Sequence, residues 1–516
     1  MERTIPQAIA ASAERNSYKT AIIYENKKIS YLKLIKQALT FAETLNSVGV
    51  RSGDCVAVYL SNRPEYAVSV LAALHLGAQI VPLNTRLSPD EIHYILNDSG
   101  TKLLITETQF IETAKATLHR KTPVQRTLNI DEKTEEIERW SCSEDSSLLS
   151  VFKSTPSKPD SVALIAYTSG TTGQLKGAQL THKNLLSNAY ACLKTIPIKP
   201  NENFLCILPL AHTFPFTVCL LTPLLSGTTT TMLASVKPFK RVMKAVFKNR
   251  VTIFVGIPQL YRALTNAPRP GFFSRMMFRL FNPLRFCISG ADPLPLDVLV
   301  NFENRFRVPL LEGYGLTEAS PVVSFNRLEN RKKSSVGLPL EGVEIRIISE
   351  KGEPVPRGEI GELCVKGDNV MLGYLNRPKE TCECIKEGWL LTGDMAKLDE
   401  DGFIYIVGRK KDMISVKGLK LYPQEVEAVL LRHPSVEDCV VVGVSDSHSG
   451  EVPVAAVVLA KDCRTSSEEL LSYMRNHIAD YKLPRKIVFT DSLPKTATAK
   501  VRRYEIRALF TSQFSL

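Results

Sequence analysis

Apolar residues along this chain follow two rhythms. Short unbroken runs such as CVAVYL, GAQIVPL, KLLITE, VALIAY, VTIFVG and LRFCISG have the length and branched composition of buried strands. Between them, stretches such as PEYAVSVLAALHL and PFKRVMKAVFK repeat their apolar positions at helical spacing. This alternation runs to about residue 400 and predicts mostly parallel sheets covered by helices. From about residue 337 the strands shorten and are punctuated by Gly and Pro, as in VEIRIIS, EIGELCVKG and GFIYIVG, which suits a small antiparallel barrel or sheet. After the charged knot GRKKD, Gly408 to Asp412, comes a smaller segment that mixes both rhythms. It holds a helix near PQEVEAVLLRH, strands CVVVGV and VPVAAVVLA, a helix EELLSYMRNHIADY and a basic tail.

The fold class predicted is α/β: a large N-terminal domain of two parallel-rich, helix-covered sheets plus a small β-barrel, followed by a mobile α+β C-terminal domain. A length of 516 residues agrees, since it implies roughly three or four structural units. One stretch departs from the pattern. FLCILPLAHTFPFTVCLLTPLL, Phe204 to Leu225, is long enough to span a bilayer and carries no Lys, Arg, Asp or Glu. Three prolines and His212 interrupt it and no basic cluster flanks it closely, so a buried strand, loop and helix are expected in place of an anchor.

Composition changes the picture little. Hydrophobic residues make up 44% and charged residues 23%, ordinary values for a globular protein. The net charge of +12 favours polyanionic partners such as nucleotides, coenzyme A, an acidic carrier protein or an anionic membrane face. No Lys/Arg block is long enough to read as a nucleic-acid arm, so no nucleic-acid partner is expected. The eleven cysteines lack paired CxxC spacing, and Cys382 and Cys384 have no neighbouring His to complete a zinc site, so reduced thiols are expected. The N-terminus has no continuous apolar core of a secretory signal. A cytoplasmic location follows, with peripheral contact at the inner membrane face compatible with the charge.

Candidate chemistry starts at YTSGTTGQLKG, Tyr167 to Gly177. Glycines let backbone amides approach a ligand, Ser and Thr add short donors, and Lys176 adds one positive charge, a set suited to a phosphate chain. It is not a Walker A loop, because from Gly170 the positions that should be Gly, Lys and Ser/Thr are Leu175, Lys176 and Gly177. A flexible linker has the same composition. The flanks argue for a held loop, with a buried strand before it and a helix after it for which Thr181 is a candidate cap.

Four further stretches accompany this loop: GYGLTEASPV from Gly313, GWLLTGDMAKLDEDGFIYIVGRKKDMI from Gly388, VKGLKLYPQEVEAVL from Val416 and PKTATAKVRR from Pro494. In this order and spacing the five resemble the acyl-adenylate-forming family, which includes acyl-CoA synthetases, firefly luciferase and the adenylation domains of peptide synthetases. The resemblance covers nearly the whole chain. It implies an AMP-binding domain over 1–408, a hinge at 409–412 and a C-terminal domain over 413–516.

The resemblance also implies roles. Thr168, Ser169, Gly170, Thr171, Thr172, Gly173 and Lys176 would surround the ATP phosphates, with Leu175 where the family usually has proline. Glu318 would hold magnesium, Thr317 would contact the α-phosphate, and Gly313 and Tyr314 would form the adenine wall. Asp394 would accept the ribose hydroxyls with Arg409 beside it. Lys500 would bridge the attacking carboxylate and the α-phosphate, although Ala499 stands where the family has Gly. Lys411 would be the hinge, and Gly418 would let a pantetheine arm pass. His212, Gly290, Ala291 and Gly315 would line the acyl end.

Each of these residues also has an ordinary reading, as a core aromatic, a core histidine or a solvated charge. The chemistry is nevertheless coherent without the family name: a carboxylate and a triphosphate repel, so cations must sit between them.

No aspartate occurs in LPLAHTFPF to pair an amino acid's ammonium, so an apolar acid is favoured. With Gly315 where acetate-specific relatives place Trp, a medium or long fatty acid is expected. Coenzyme A is the expected acceptor, and the acidic Asp292 keeps acyl carrier protein open as the alternative. A membrane-associated fatty-acid uptake protein with vestigial motifs is a third reading.

Overall fold

The computed structural model describes residues 3–132, 148–169, 175–236, 238–267, 281–446, 450–495 and 501–513. The chain divides into two compact units, residues 1–345 with 365–390, and 346–364 with 391–516.

Two sheets organise the first unit. One has nine strands, of which the central six, Leu310–Gly315, Phe286–Ser289, Ile253–Gly256, Asn203–Cys206, Thr229–Met232 and Thr20–Tyr24, run parallel. The other has seven, with Val162–Ser169, Gln79–Pro82, Cys55–Tyr59, Leu103–Thr106 and Arg126–Asn129 parallel, and Leu175–Thr181 folded back antiparallel on Val162–Ser169. Parallel strands covered on both faces read as continuous apolar runs, which is why these were visible in the sequence. The helix Pro64–His75 is apolar almost all round because it is buried nearly all round, Tyr66, Val70 and Leu71 among its fully enclosed residues.

The apolar stretch at 204–225 resolves into the strand Asn203–Cys206, a turn at Thr213–Pro215, a π-helical turn Phe216–Leu221 and the short helix Thr222–Ser226, ended by Gly227 at φ +69°. It is core, as its prolines suggested. Among the described residues no helix is long and apolar enough to cross a membrane. Thr181 does cap the helix His182–Thr195. Its Oγ1 accepts from the Asn184 amide at 3.1 Å while Asn184 Oδ1 accepts from the Thr181 amide at 2.8 Å, a reciprocal pair that fixes where strand becomes helix.

In the second unit, Trp389–Leu398 pairs antiparallel with Ile404–Arg409 across a tight turn, as the Gly-punctuated pattern predicted. The C-terminal part is a five-stranded sheet built on the long hairpin Val436–Asp446 and Gly450–Leu459. Alternation along these strands sends Val441, Ala455 and Val457 to one face, against Val426, Leu430, Leu470 and Met474. Val440, Val442, Val444 and Ala456 go to the other, against Leu493, Ile506 and Phe510. The helix expected over EELLSYMRNHIADY is shorter, Ser467–Arg475. Its end tightens as His477 N donates to Met474 O, and Asp480–Lys482 forms a separate turn. The ten cysteines among the described residues are all free.

One carboxyl of the first unit is buried against a backbone amide. Glu312, on the strand that leads to Tyr314, is 6% exposed and accepts from the Leu294 amide at 2.8 Å. Burial pushes its pKa from 4.5 up to about 8. Folded protein therefore keeps a proton that the unfolded chain releases, so stability falls as pH rises between about 4.5 and about 8 and then levels off. Glu312→Gln keeps the acceptor and removes the charge. Its stability relative to the parent should rise across that window by up to about 1.4 kcal/mol per pH unit, measured by denaturant unfolding at several pH values. An offset that does not vary with pH would refute a buried neutral carboxyl.

Candidate active site

The Val162–Ser169 and Leu175–Thr181 hairpin places Thr168 directly opposite Lys176 in the ladder. Of the predicted phosphate residues, Gly170, Thr171, Thr172 and Gly173 lie outside the described residues, as does the Ser169 side chain. Lys500 lies outside them too. The stems of the loop are described, and both are strand.

Lys176 directs its Nζ to 5.4 Å from the centre of the Tyr374 ring, and the Tyr374 hydroxyl donates to Glu318 Oε1 at 2.8 Å. One aromatic side chain therefore links the predicted phosphate cation to the predicted metal acid, two residues far apart along the chain. Glu318 sits in the single turn Thr317–Ala319. That turn is pinned by the Met371 amide donating to Glu318 O at 2.9 Å and by Asn369 Nδ2 donating to Ala319 O at 2.9 Å. Thr317 Oγ1 lies 3.3 Å from Thr213 Oγ1, which ties the predicted α-phosphate contact to the turn after His212.

His212 Nε2 lies 2.8 Å from Asn84 Nδ2. An amide NH₂ only donates, so Nε2 accepts and the proton of the neutral ring sits on Nδ1. Ala291 holds φ +73°, and a Cβ on Gly290 would come within 2.8 Å of the Phe214 ring. Glycine at 290 thus leaves room for an aromatic ring lying on the backbone. Gly313 is crowded likewise, by the Phe325 ring at 2.7 Å.

Gly315 has a local cause: a Cβ there would lie 2.1 Å from the Pro321 carbonyl oxygen, on backbone that cannot swing away. The antiparallel pairing of Leu310–Gly315 with Val322–Phe325 accounts for the missing side chain.

The remaining predicted residues belong to the second unit. Asp394, 3% exposed, and Arg409 are ladder partners, and Arg409 Nε meets Asp394 Oδ1 at 2.8 Å. The Asp394 amide donates to Thr392 Oγ1 at 3.1 Å, which orients the carboxylate. Lys411 stands in the turn Lys410–Asp412, its pKa lowered first by burial and then by Arg409 and Arg503, against Asp412 and Asp394. Arg503 reaches Glu427 through two nitrogens, at 2.6 and 2.8 Å, and lies 3.7 Å from Asp412. Asp412 is therefore tied to the C-terminal core while Arg409 is tied to Asp394. Gly418 sits at φ +82°, and a Cβ there would meet nothing within 4 Å, so the turn conformation alone accounts for glycine at this position.

Sequence reasoning missed Tyr374, Asn84 and Thr213, which have no charge to attract notice and act through residues far away in the chain. A usable signal existed for Tyr374, because GYLNRPKE sets an aromatic beside basic residues.

With this geometry in place, comparison with known proteins is direct. The AMP-binding enzyme family matches residues 9–375, and the AMP-binding enzyme C-terminal domain matches residues 425–500. A feruloyl-CoA synthase from Amycolatopsis sp is 35% identical over 503 residues, covering 96% of this chain and 97% of the relative. A long-chain-fatty-acid–CoA ligase from Bacillus subtilis is 34% identical over 533 residues, covering 97% and 93%. Among solved structures, ATP-bound MatB from Rhodopseudomonas palustris superposes with a TM-score of 0.89 at 29% identity over 100% of both chains. The o-succinylbenzoate CoA synthetase of Bacillus subtilis in complex with its acyl-adenylate intermediate superposes with a TM-score of 0.86 at 31% identity over 98% of both. The order of motifs, the two-sheet architecture and these matches agree: the chain belongs to the AMP-binding enzyme family, the acyl-adenylate-forming acid–thiol ligases.

Proposed function

We propose that this protein activates a medium- or long-chain fatty acid with ATP to an acyl-AMP and transfers the acyl group to coenzyme A. The observation that carries the first step is the linked set Lys176, Tyr374 and Glu318, which puts a cation and a carboxylate on one edge of the phosphate-loop hairpin. Glu318 fits magnesium: it is a hard oxygen donor, and only its Oε1 is bonded to Tyr374. When bound there, the metal would neutralise charge on the phosphates. Lys176 would hold the leaving pyrophosphate and Thr317 the α-phosphate, while Tyr314 would flank the adenine and Asp394 with Arg409 the ribose. Lys500 would draw the acid's carboxylate to the α-phosphorus, and pyrophosphate leaves as the mixed anhydride forms. The thiol then attacks the acyl carbon and releases AMP. A hinge at Lys411 would separate the two half-reactions, with 1–408 and 413–516 as the moving parts.

The apolar substrate is supported by the lack of an acidic residue in LPLAHTFPF and by relatives named long-chain-fatty-acid–CoA ligases. A second reading, an aromatic acid, is favoured by the feruloyl-CoA synthase relative and by the Phe214 ring lying over Gly290. Acyl carrier protein remains the alternative acceptor.

Octanoate, palmitate and ferulate should each be offered with ATP and magnesium, with coenzyme A or holo acyl carrier protein as thiol. The proposal expects the highest kcat/KM for a fatty acid with coenzyme A. Preference for ferulate would replace the substrate, and thioester on the carrier protein alone would replace the acceptor. Lys500→Ala should lose at least about 100-fold in ATP–pyrophosphate exchange yet still convert supplied acyl-AMP to thioester; unimpaired exchange would remove the lysine from the first half-reaction.

A further inference from the structure

Leu175 closes the phosphate-loop segment where the family usually carries proline, so the stiffness that a ring would give the backbone is missing there. The structure supplies a substitute. The helix Pro89–Asp98 presents Tyr94 and Asp98, one turn apart, to the stems of the hairpin. The Tyr94 hydroxyl donates to the Leu175 carbonyl at 3.0 Å, and Arg377 Nη2 donates to the Tyr94 oxygen at 2.9 Å. Arg377 also lies 3.8 Å from Asp98, whose Oδ2 accepts from the Tyr167 hydroxyl at 2.7 Å. Tyr167 is the first residue of the motif and Leu175 the first described after residues 170–174, so both stems are held by one helix and one arginine.

We propose that Tyr94 is a positioning residue for the phosphate loop, fixing the Leu175 carbonyl through a hydroxyl that Arg377 orients and polarises. A phenol has a single proton. With a guanidinium donating to its oxygen, that proton is directed to the carbonyl, and a donor charged at one end strengthens the bond beyond it. Arg377 cannot drift, because Asn376 Nδ2 donates to Asp98 O at 3.0 Å and the Leu375 amide donates to Gly177 O at 2.8 Å. Three positions earlier, the same stretch carries Tyr374 to Glu318. Residues Tyr374 to Arg377 thus set the metal acid and the loop stem relative to each other within the first unit.

This inference rests on the reading that the loop binds ATP phosphates, and the test separates the two. In the full-length protein, Tyr94→Phe keeps the ring and deletes the hydroxyl, and it should raise KM for ATP roughly five-fold. KM for the acid, KM for the thiol and Tm should stay unchanged. Arg377→Gln should move KM for ATP in the same direction. Lys176→Ala is the control for the loop itself. If Lys176→Ala raises KM for ATP and neither Tyr94→Phe nor Arg377→Gln does, the positioning role is wrong and the loop reading stands. A lowered Tm with every KM unchanged would make Tyr94 merely structural and also overturn it. If Lys176→Ala leaves ATP binding untouched, the loop reading fails and takes the inference with it.

Discussion

The arrangement of this protein answers one electrostatic difficulty: joining a carboxylate to a triphosphate requires two anions to approach within bonding distance. Coulomb repulsion at that range is large wherever water is excluded, so positive charge must already be in place when they meet. A free lysine would not suffice, since its long stem carries considerable rotamer entropy. Here Lys176 springs from a strand, and its ammonium is directed over an aromatic face whose hydroxyl holds Glu318. The Lys176 ammonium and the Glu318 carboxylate are thereby linked through one aromatic side chain.

The second unit repeats that logic with pairing in place of separation. Asp394 is buried; Arg409 meets its carboxylate directly, and the Thr392 hydroxyl accepts from the amide behind it. The two oxygens of a carboxylate offer about four acceptor sites, enough to serve a guanidinium and a diol together, the chemistry that the ribose reading needs. The chain then changes allegiance within three residues. Arg409 is bound back to Asp394, whereas Asp412 lies near Arg503, which is itself clamped by Glu427. Lys411 is left between these two anchors, in the turn Lys410–Asp412.

Much of this was legible because the motifs are local. The first strand, the Gly/Ser/Thr run and the capped helix were readable in order, and the Thr181 cap from spacing alone, but the return strand Leu175–Thr181 between loop and helix was not. The partners that make the motifs work were not legible. Tyr374 meets Glu318 across 56 positions and Asn84 meets His212 across 128, and no periodicity encodes such pairings. Gly315 shows a different difficulty: a glycine read as an open floor also has a backbone cause, a carbonyl oxygen 2.1 Å from where its Cβ would be. Crowding by backbone leaves the same trace in a sequence as room for a ligand.

Gly290 is crowded in a different way from Gly315. The ring on it belongs to Phe214, a side chain with rotamers to choose from, so this wall can yield where the Pro321 carbonyl cannot. Phe214 lies two residues after His212, whose ring is held by Asn84, and one after Thr213, which touches Thr317. The turn bonded to Thr317 and the ring over Gly290 are therefore one short piece of chain, followed at once by a π-helical turn. Such turns widen a helix locally and recur at functional sites. A shift of the Phe214 ring would therefore be felt at Thr317 through the single residue Thr213.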